Sequence, residues 1–328
     1  MSPLATALTR DAKIEVPLIC GAMYPCSNPE LVAAVSAAGG IGIVQPISLT
    51  YVHGHDYREG LRLIRRLAGE RPIGMNALIE ASSRIYRARM ERWVDVSLEE
   101  GVRFFITSLG NPRWVVDRVA AVGGVVYHDV TERKWALKAK DGGVRGLICV
   151  NARAGGHAGG KSAVELVAEC GDLGLPLVCA GGVGDAPDFV AALRLGYAGV
   201  QLGTRFIATT ECNAREDYKQ AILDADEEDI VLTERITGVP LAVIRTAFVE
   251  RIGTRIGPIS RWLFRHRRTK HWMRTFYALR SLRKMKRDSV TGTGTGEYWQ
   301  AGKSVTGIGR VEPAGEIVRR FAAAAQAV

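Results

Sequence analysis

The chain has 328 residues, 47% of them hydrophobic, with a mean hydropathy of +0.03 and a formal net charge of +10. That composition can bury one large core, and no run approaches the roughly 18 to 20 apolar residues a membrane span requires. The first residues lack a charged segment followed by an apolar run and a cleavage site, so a cytoplasmic location is the expectation. Cys20, Cys26, Cys149, Cys170, Cys179 and Cys212 are scattered singly with no C-x-x-C pair. They read as reduced core residues, with no metal site.

In chain order, eight short apolar, β-branched runs stand out: Val16–Met23, Gly42–Pro46, Ile73–Ile79, Phe104–Ser108, Val125–Val130, Gly146–Asn151, Leu177–Gly181 and Gly199–Gly203. They alternate with helix-like stretches, which is the pattern of parallel βα units. Helix starts carry a capping residue before a proline, as in Asn28-Pro29 and Asp185-Ala186-Pro187. Helix ends fall at Gly39, Gly101, Gly142 and Gly196, residues suited to a C-cap. Eight units, with no G-x-G-x-x-G after the first strand, predict an α/β fold of the (β/α)8 TIM-barrel class with a C-terminal helical, basic appendage. The barrel is expected to use residues 1–210 and 300–328. Residues 211–299 are expected to form a helical insertion or lid.

Within that insertion, Glu211 to Glu234 is acidic and helical in character. Between Arg251 and Val290 there are thirteen Lys and Arg residues against one acid, Asp288, so removing that stretch leaves the remainder near −2. The basicity therefore belongs to the appendage. Cations interleaved with aromatics over 251–287 suit anionic lipid or an acidic carrier protein, peripheral to a membrane. Equally, Trp262, Phe264, Trp272 and Phe276 could pack as a solvated lid over the barrel. No recognised nucleic-acid motif accompanies the stretch, and nucleic acid is not expected as a partner.

The site of a parallel barrel lies at the carboxyl ends of its strands. Strand seven runs into Gly181-Gly182-Val183-Gly184 and strand eight into Gly203-Thr204-Arg205, two glycine turns that let backbone N–H groups approach an anion. Together they form a phosphate cradle. Strand six runs into Asn151-Ala152-Arg153-Ala154-Gly155-Gly156-His157-Ala158-Gly159-Gly160, a loop too glycine-rich for packing alone. His157 is its imidazole, a candidate general base or substrate-orienting donor. The stretch Glu80 to Arg92 holds four arginines and a tyrosine, and reads as an exposed helix face rather than an anion-binding lid.

Taken together, Ile19-Cys20-Gly21-Ala22-Met23, Leu31 to Gly42, Ala154-Gly155-Gly156-His157, Ala180-Gly181-Gly182-Val183 and Leu202-Gly203-Thr204-Arg205-Phe206 resemble the nitronate monooxygenase family, formerly called 2-nitropropane dioxygenases. The resemblance spans roughly residues 14 to 245, with Val305 to Phe321 similar to the family's C-terminal stretch. It implies FMN as cofactor, with Gly21, Ala22 and Met23 along the isoalloxazine and Asn76 hydrogen-bonded to it. Gly181, Gly182, Gly203 and Thr204 match the phosphate loops, Gly156 belongs with the cofactor-binding residues, and His157 matches the active-site histidine. The activity implied is oxidation of an alkyl nitronate with dioxygen. The alternative is an NAD(P)H-dependent reductase of quinones or enoyl thioesters, similar to the enoyl-ACP reductases on the same scaffold. One departure bears on the reaction: Tyr127-His128-Asp129-Val130-Thr131 follows strand five, where some relatives carry a lysine near the flavin.

Overall fold

The structure, a computed structural model, describes residues 2–80, 84–257, 286, 287, 290 and 298–327. A short helix, α1 (Ala7–Ala12), precedes the barrel. Eight strands follow: β1 (Leu18–Cys20), β2 (Ile41–Val44), β3 (Gly74–Ile79), β4 (Phe104–Leu109), β5 (Val125–Val130), β6 (Gly146–Val150), β7 (Leu177–Ala180) and β8 (Gly199–Leu202). They close in sequence order, all parallel, and β8 returns to β1 with Ile19 opposite Gln201. The expected (β/α)8 class is therefore observed; β5 matches its run, β4 extends one residue further, and the other strands are shorter because their run ends continue into the loops.

Outside lie α2 (Pro29–Ala37), α3 (Tyr57–Leu67), α4 (Arg84–Glu99), α5 (Arg113–Ala120), α6 (Arg133–Asp141), α7 (Ala163–Cys170) and α8 (Ala186–Arg194). The Asp185 carboxylate accepts from the Asp188 N–H at 3.0 Å, the cap expected from the sequence. Asn28 occupies the N-cap position of α2 as expected, but its side chain makes no cap hydrogen bond; its amide donates to the Glu211 carbonyl at 2.8 Å and to Glu30. After α6 the left-handed residue is Gly143, one step beyond the expected Gly142. Arg84, Arg87, Arg89 and Arg92 are exposed on α4, as a helix face should be. All six cysteines are free and buried.

Strand alternation divides the core into two layers. Leu18, Cys20, Met75, Ala77, Phe105, Leu147, Cys149, Val200 and Leu202 face the helices. Ile19, Ile41, Ile43, Phe104, Ile106, Tyr127, Ile148, Val178 and Ala180 fill the barrel interior, where Leu8, Ala12 and Ile14 plug the floor. The Tyr127 hydroxyl donates to Asp11 of α1 at 2.9 Å, and Arg145 meets the same carboxylate at 3.3 Å. The C-terminal helix, Ala314–Gln326, packs against α8 and α2 and stacks Phe321 on Phe189 with ring centres 5.4 Å apart.

After β8 come α9 (Thr204–Ile207) and α10 (Glu216–Asp224). The segment read as helical then departs from expectation. β9 (Ile230–Thr233) and β10 (Leu241–Ile244) form an antiparallel ribbon, with α11 (Ala247–Ile252) beyond it. Ile230-Val231-Leu232-Thr233 is β-branched and apolar, a signal overshadowed by the acidic run before it. Most of the basic stretch 251–287 lies outside the described residues. Among the described residues no helix is long and apolar enough to cross a membrane.

Candidate active site

The carboxyl ends of the strands carry a polar ring on an apolar shaft. Ile41 and Ile43 point inward from β2, so Gln45 two residues on does too, and the same alternation brings Asn76, Ser108, Asp129 and Gln201 to the inner face. Gly21 completes the ring beside Gln201: a Cβ on Gly21 would lie 3.0 Å from the Gln201 Cγ. Among the described residues the buried oxygens Gln45 Oε1, Asp129 Oδ1 and Gln201 Oε1 have no hydrogen-bond partner. An unmet buried acceptor costs about 1 to 3 kcal/mol, so three at one barrel mouth mark a place built for a ligand with its own donors.

The two glycine turns lie beside this ring. Gly181 and Gly182 have φ of +116° and +80°, and the neighbouring loop lies so close that any Cβ would collide. On Gly181 it would fall 2.5 Å from the Ala154 nitrogen and Asn151 Oδ1; on Gly182, 2.6 Å from the Arg153 Nε. Asn151, fully buried, is the strut: its amide donates to the Gly181 carbonyl at 2.9 Å while its oxygen accepts from the Arg153 N–H at 2.8 Å. The N–H groups of Gly182, Val183 and Gly203 have no protein acceptor among the described residues. Thr204 is buried, and its Oγ1 accepts from the Gly302 N–H at 2.9 Å, which leaves its hydroxyl proton free for an anion. The turns thus offer backbone donors and a hydroxyl, while the Arg153 guanidinium beside Gly182 is held by the Glu227 carboxylate at 2.7 Å. A flat heteroaromatic ligand with a phosphate tail fits these residues.

Two glycines of the β6 loop serve packing, whereas a Cβ on Gly160 would meet nothing within 4 Å. A Cβ on Gly159 would meet the Val150 carbonyl at 2.3 Å, and one on Gly155 the Gly302 nitrogen at 2.9 Å. Gly156 accepts from the Ala242 N–H of β10 at 2.8 Å. His157, next along, is exposed at the rim, and its Nε2 lies 3.3 Å from the Thr237 hydroxyl. Desolvation of its ring lowers its pKa from the ordinary imidazole value. Ala22 and Met23 follow β1 at the mouth, partly buried, with the Met23 N–H donating to the Ser27 Oγ at 2.8 Å.

On β5, burial shifts two adjacent side chains toward their neutral forms. His128 points outward, 2.8 Å from the Thr107 hydroxyl, and its pKa is lowered to about 4. Asp129 points into the mouth, and its pKa is raised to about 7.

A model of the nitronate monooxygenase family matches residues 5–323. The chain belongs to the nitronate monooxygenase family. It is 29% identical over 253 residues to "(3aS,4S,5R,7aS)-5-hydroxy-7a-methyl-1-oxo-octahydro-1H-indene-4-carboxyl-CoA dehydrogenase" of Rhodococcus jostii, covering 77% of this chain and 69% of that protein. It is 27% identical over 290 residues to a "Probable nitronate monooxygenase" of Staphylococcus saprophyticus, covering 76% and 81%. Among solved structures, FabK from Thermotoga maritima superposes with a TM-score of 0.78 at 25% identity, over 98% of this chain and 96% of that one. As a nitronate monooxygenase family member, the chain is an oxidoreductase.

In this family member Gln45, Gln201, Asn151 and Arg153 were not singled out by sequence reasoning. A glutamine inside the apolar run Val200-Gln201-Leu202, and another closing Ile41–Val44, were the available signals.

Proposed function

We propose that this protein is an FMN-dependent oxidoreductase that oxidises small alkyl nitronates with dioxygen as the final electron acceptor. The observation that carries the reading is the set of partnerless buried oxygens on Gln45, Asp129 and Gln201, at the open end of an otherwise apolar barrel and beside two donor-rich glycine turns. Bound FMN would supply the redox chemistry, taking electrons from the substrate and passing them to dioxygen. Gly181, Gly182, Gly203 and Thr204 hold the phosphate in this reading. Gly21, Ala22 and Met23 line the ring, Gly156 shapes the adjoining loop, and Asn76 hydrogen-bonds the heterocycle. His157 stays largely neutral near pH 7 because its pKa is lowered. One ring nitrogen can then donate to the nitronate while the other accepts, so the side chain orients substrate or moves a proton.

A second reading is favoured by one observation, the Rhodococcus relative named for a carboxyl-CoA substrate. In this reading NAD(P)H would pass a hydride to the flavin, and a quinone or enoyl thioester would take it onward. The basic stretch 251–287 would suit an anionic lipid surface or an acidic carrier under either reading.

The test is the absorption spectrum of purified protein, followed by anaerobic mixing. FMN released on denaturation, and flavin bleaching by propionate 3-nitronate, are the expected results. A colourless protein that takes up no FMN overturns the cofactor assignment, and bleaching by NAD(P)H but not by the nitronate overturns the first reading in favour of the second.

A further inference from the structure

Among the described residues Asp129 is the only carboxyl on the inner ring of the mouth. Its neighbours on that face are Ile106 and Ser108 from β4 and Ile148 and Val150 from β6, with the amides of Asn76, Gln45 and Gln201 from the rest of the ring. None is charged. His128, next in sequence, faces the other way and is engaged by Thr107. The carboxyl oxygen Oδ1 is buried without a partner, yet the residue keeps some exposure toward the open end, which gives protons a route from solvent.

We infer that Asp129 is a redox-coupled proton carrier of this site, taking up one proton from solvent when the bound flavin is reduced and returning it to solvent on reoxidation. The inference rests on the FMN reading. A reduced flavin held here would add negative charge to the mouth, and in a weakly screened cavity that charge would disfavour a second anion close by, so the Asp129 carboxylate would bind a proton from solvent. Loss of that charge on reoxidation would let the carboxyl return its proton to solvent. Burial raises the Asp129 pKa to about 7, close enough to neutral pH for one added charge nearby to change its protonation.

The experiment is a spectroelectrochemical titration of the FMN-loaded protein from one pH unit below to two above that value, for wild type, Asp129→Asn and Asp129→Ser. Extra proton uptake exists only where the oxidised protein is already deprotonated. The wild-type potential should therefore fall more steeply above about pH 7 than below it, by up to about 30 mV per pH unit, the equivalent of a tenfold change in equilibrium per unit for two electrons. Both variants should show no such break. In reduced-minus-oxidised infrared spectra, wild type should gain a protonated-carboxyl C=O band that the variants lack. Potentials that run parallel in all three proteins, or a wild-type difference spectrum without that band, overturn the inference while leaving the cofactor reading intact. Failure to take up FMN overturns both.

Discussion

At the floor of the barrel, Tyr127 donates to Asp11 at 2.9 Å and Arg145 closes on the same carboxylate, whereas at the mouth Gln45, Asp129 and Gln201 bury oxygens that meet no protein donor. The two ends share strands and are separated by one apolar shaft. The same fold therefore completes its hydrogen bonding where it only has to hold together, and leaves it incomplete where a ligand is expected. The wall of the barrel behaves like the floor: His128, one residue from Asp129, has its hydroxyl partner in Thr107.

This contrast can be broken by measurement, and the largest effect should come from the wall. The folded state holds the His128 pKa at about 4 against an ordinary 6.5. Between those values the unfolded chain binds a proton that the folded chain refuses, so stability is lost as pH falls from about 6.5 toward 4, by on the order of 3 kcal/mol. His128→Gln should flatten the acid side of a melting-temperature profile. Asp129 runs the other way. Its raised value makes the folded state the better proton binder, so its contribution is lost as pH rises from about 4 through about 7, and Asp129→Asn should flatten the neutral side.

A smaller effect belongs to the floor. Tyr127→Phe removes a buried donor from Asp11 and should cost about 1 to 2 kcal/mol in denaturant unfolding, with FMN affinity unchanged. The smallest belongs to the mouth. Gln201→Leu deletes an amide whose oxygen has no partner, so the FMN-free protein should lose no stability and gain on the order of 1 kcal/mol, while FMN binding weakens about tenfold. If Gln201→Leu destabilises the protein as much as Tyr127→Phe, the distinction between the two ends fails.

Much of the barrel was legible because each strand is an apolar run, and β1, β4, β7 and β8 are closed directly by Gly21, Gly110, Gly181 and Gly203, signals that act locally. The glycine turns were legible too, since Gly181 and Gly182 adopt backbone angles that other residues rarely take. The ring was harder to read. Whether Gln45 or Gln201 faces inward depends on which parity of each strand meets the barrel axis, and that is fixed by closure of β8 on β1 rather than by either segment alone. The strut role of Asn151 depends on Gly181, thirty residues away in sequence. The ribbon of β9 and β10 was hidden because a dense acidic run biased the reading of the whole segment toward helix.

That ribbon has a consequence for how the chain tolerates change. The Glu234 N–H donates to the Thr254 carbonyl, and the Ile244 N–H, at the end of β10, donates to the Trp299 carbonyl. The same strand holds the loop that carries His157, because the Ala242 N–H donates to the Gly156 carbonyl. A change that shifts β10 is therefore expected to be felt twice, at Trp299 and at the position of His157.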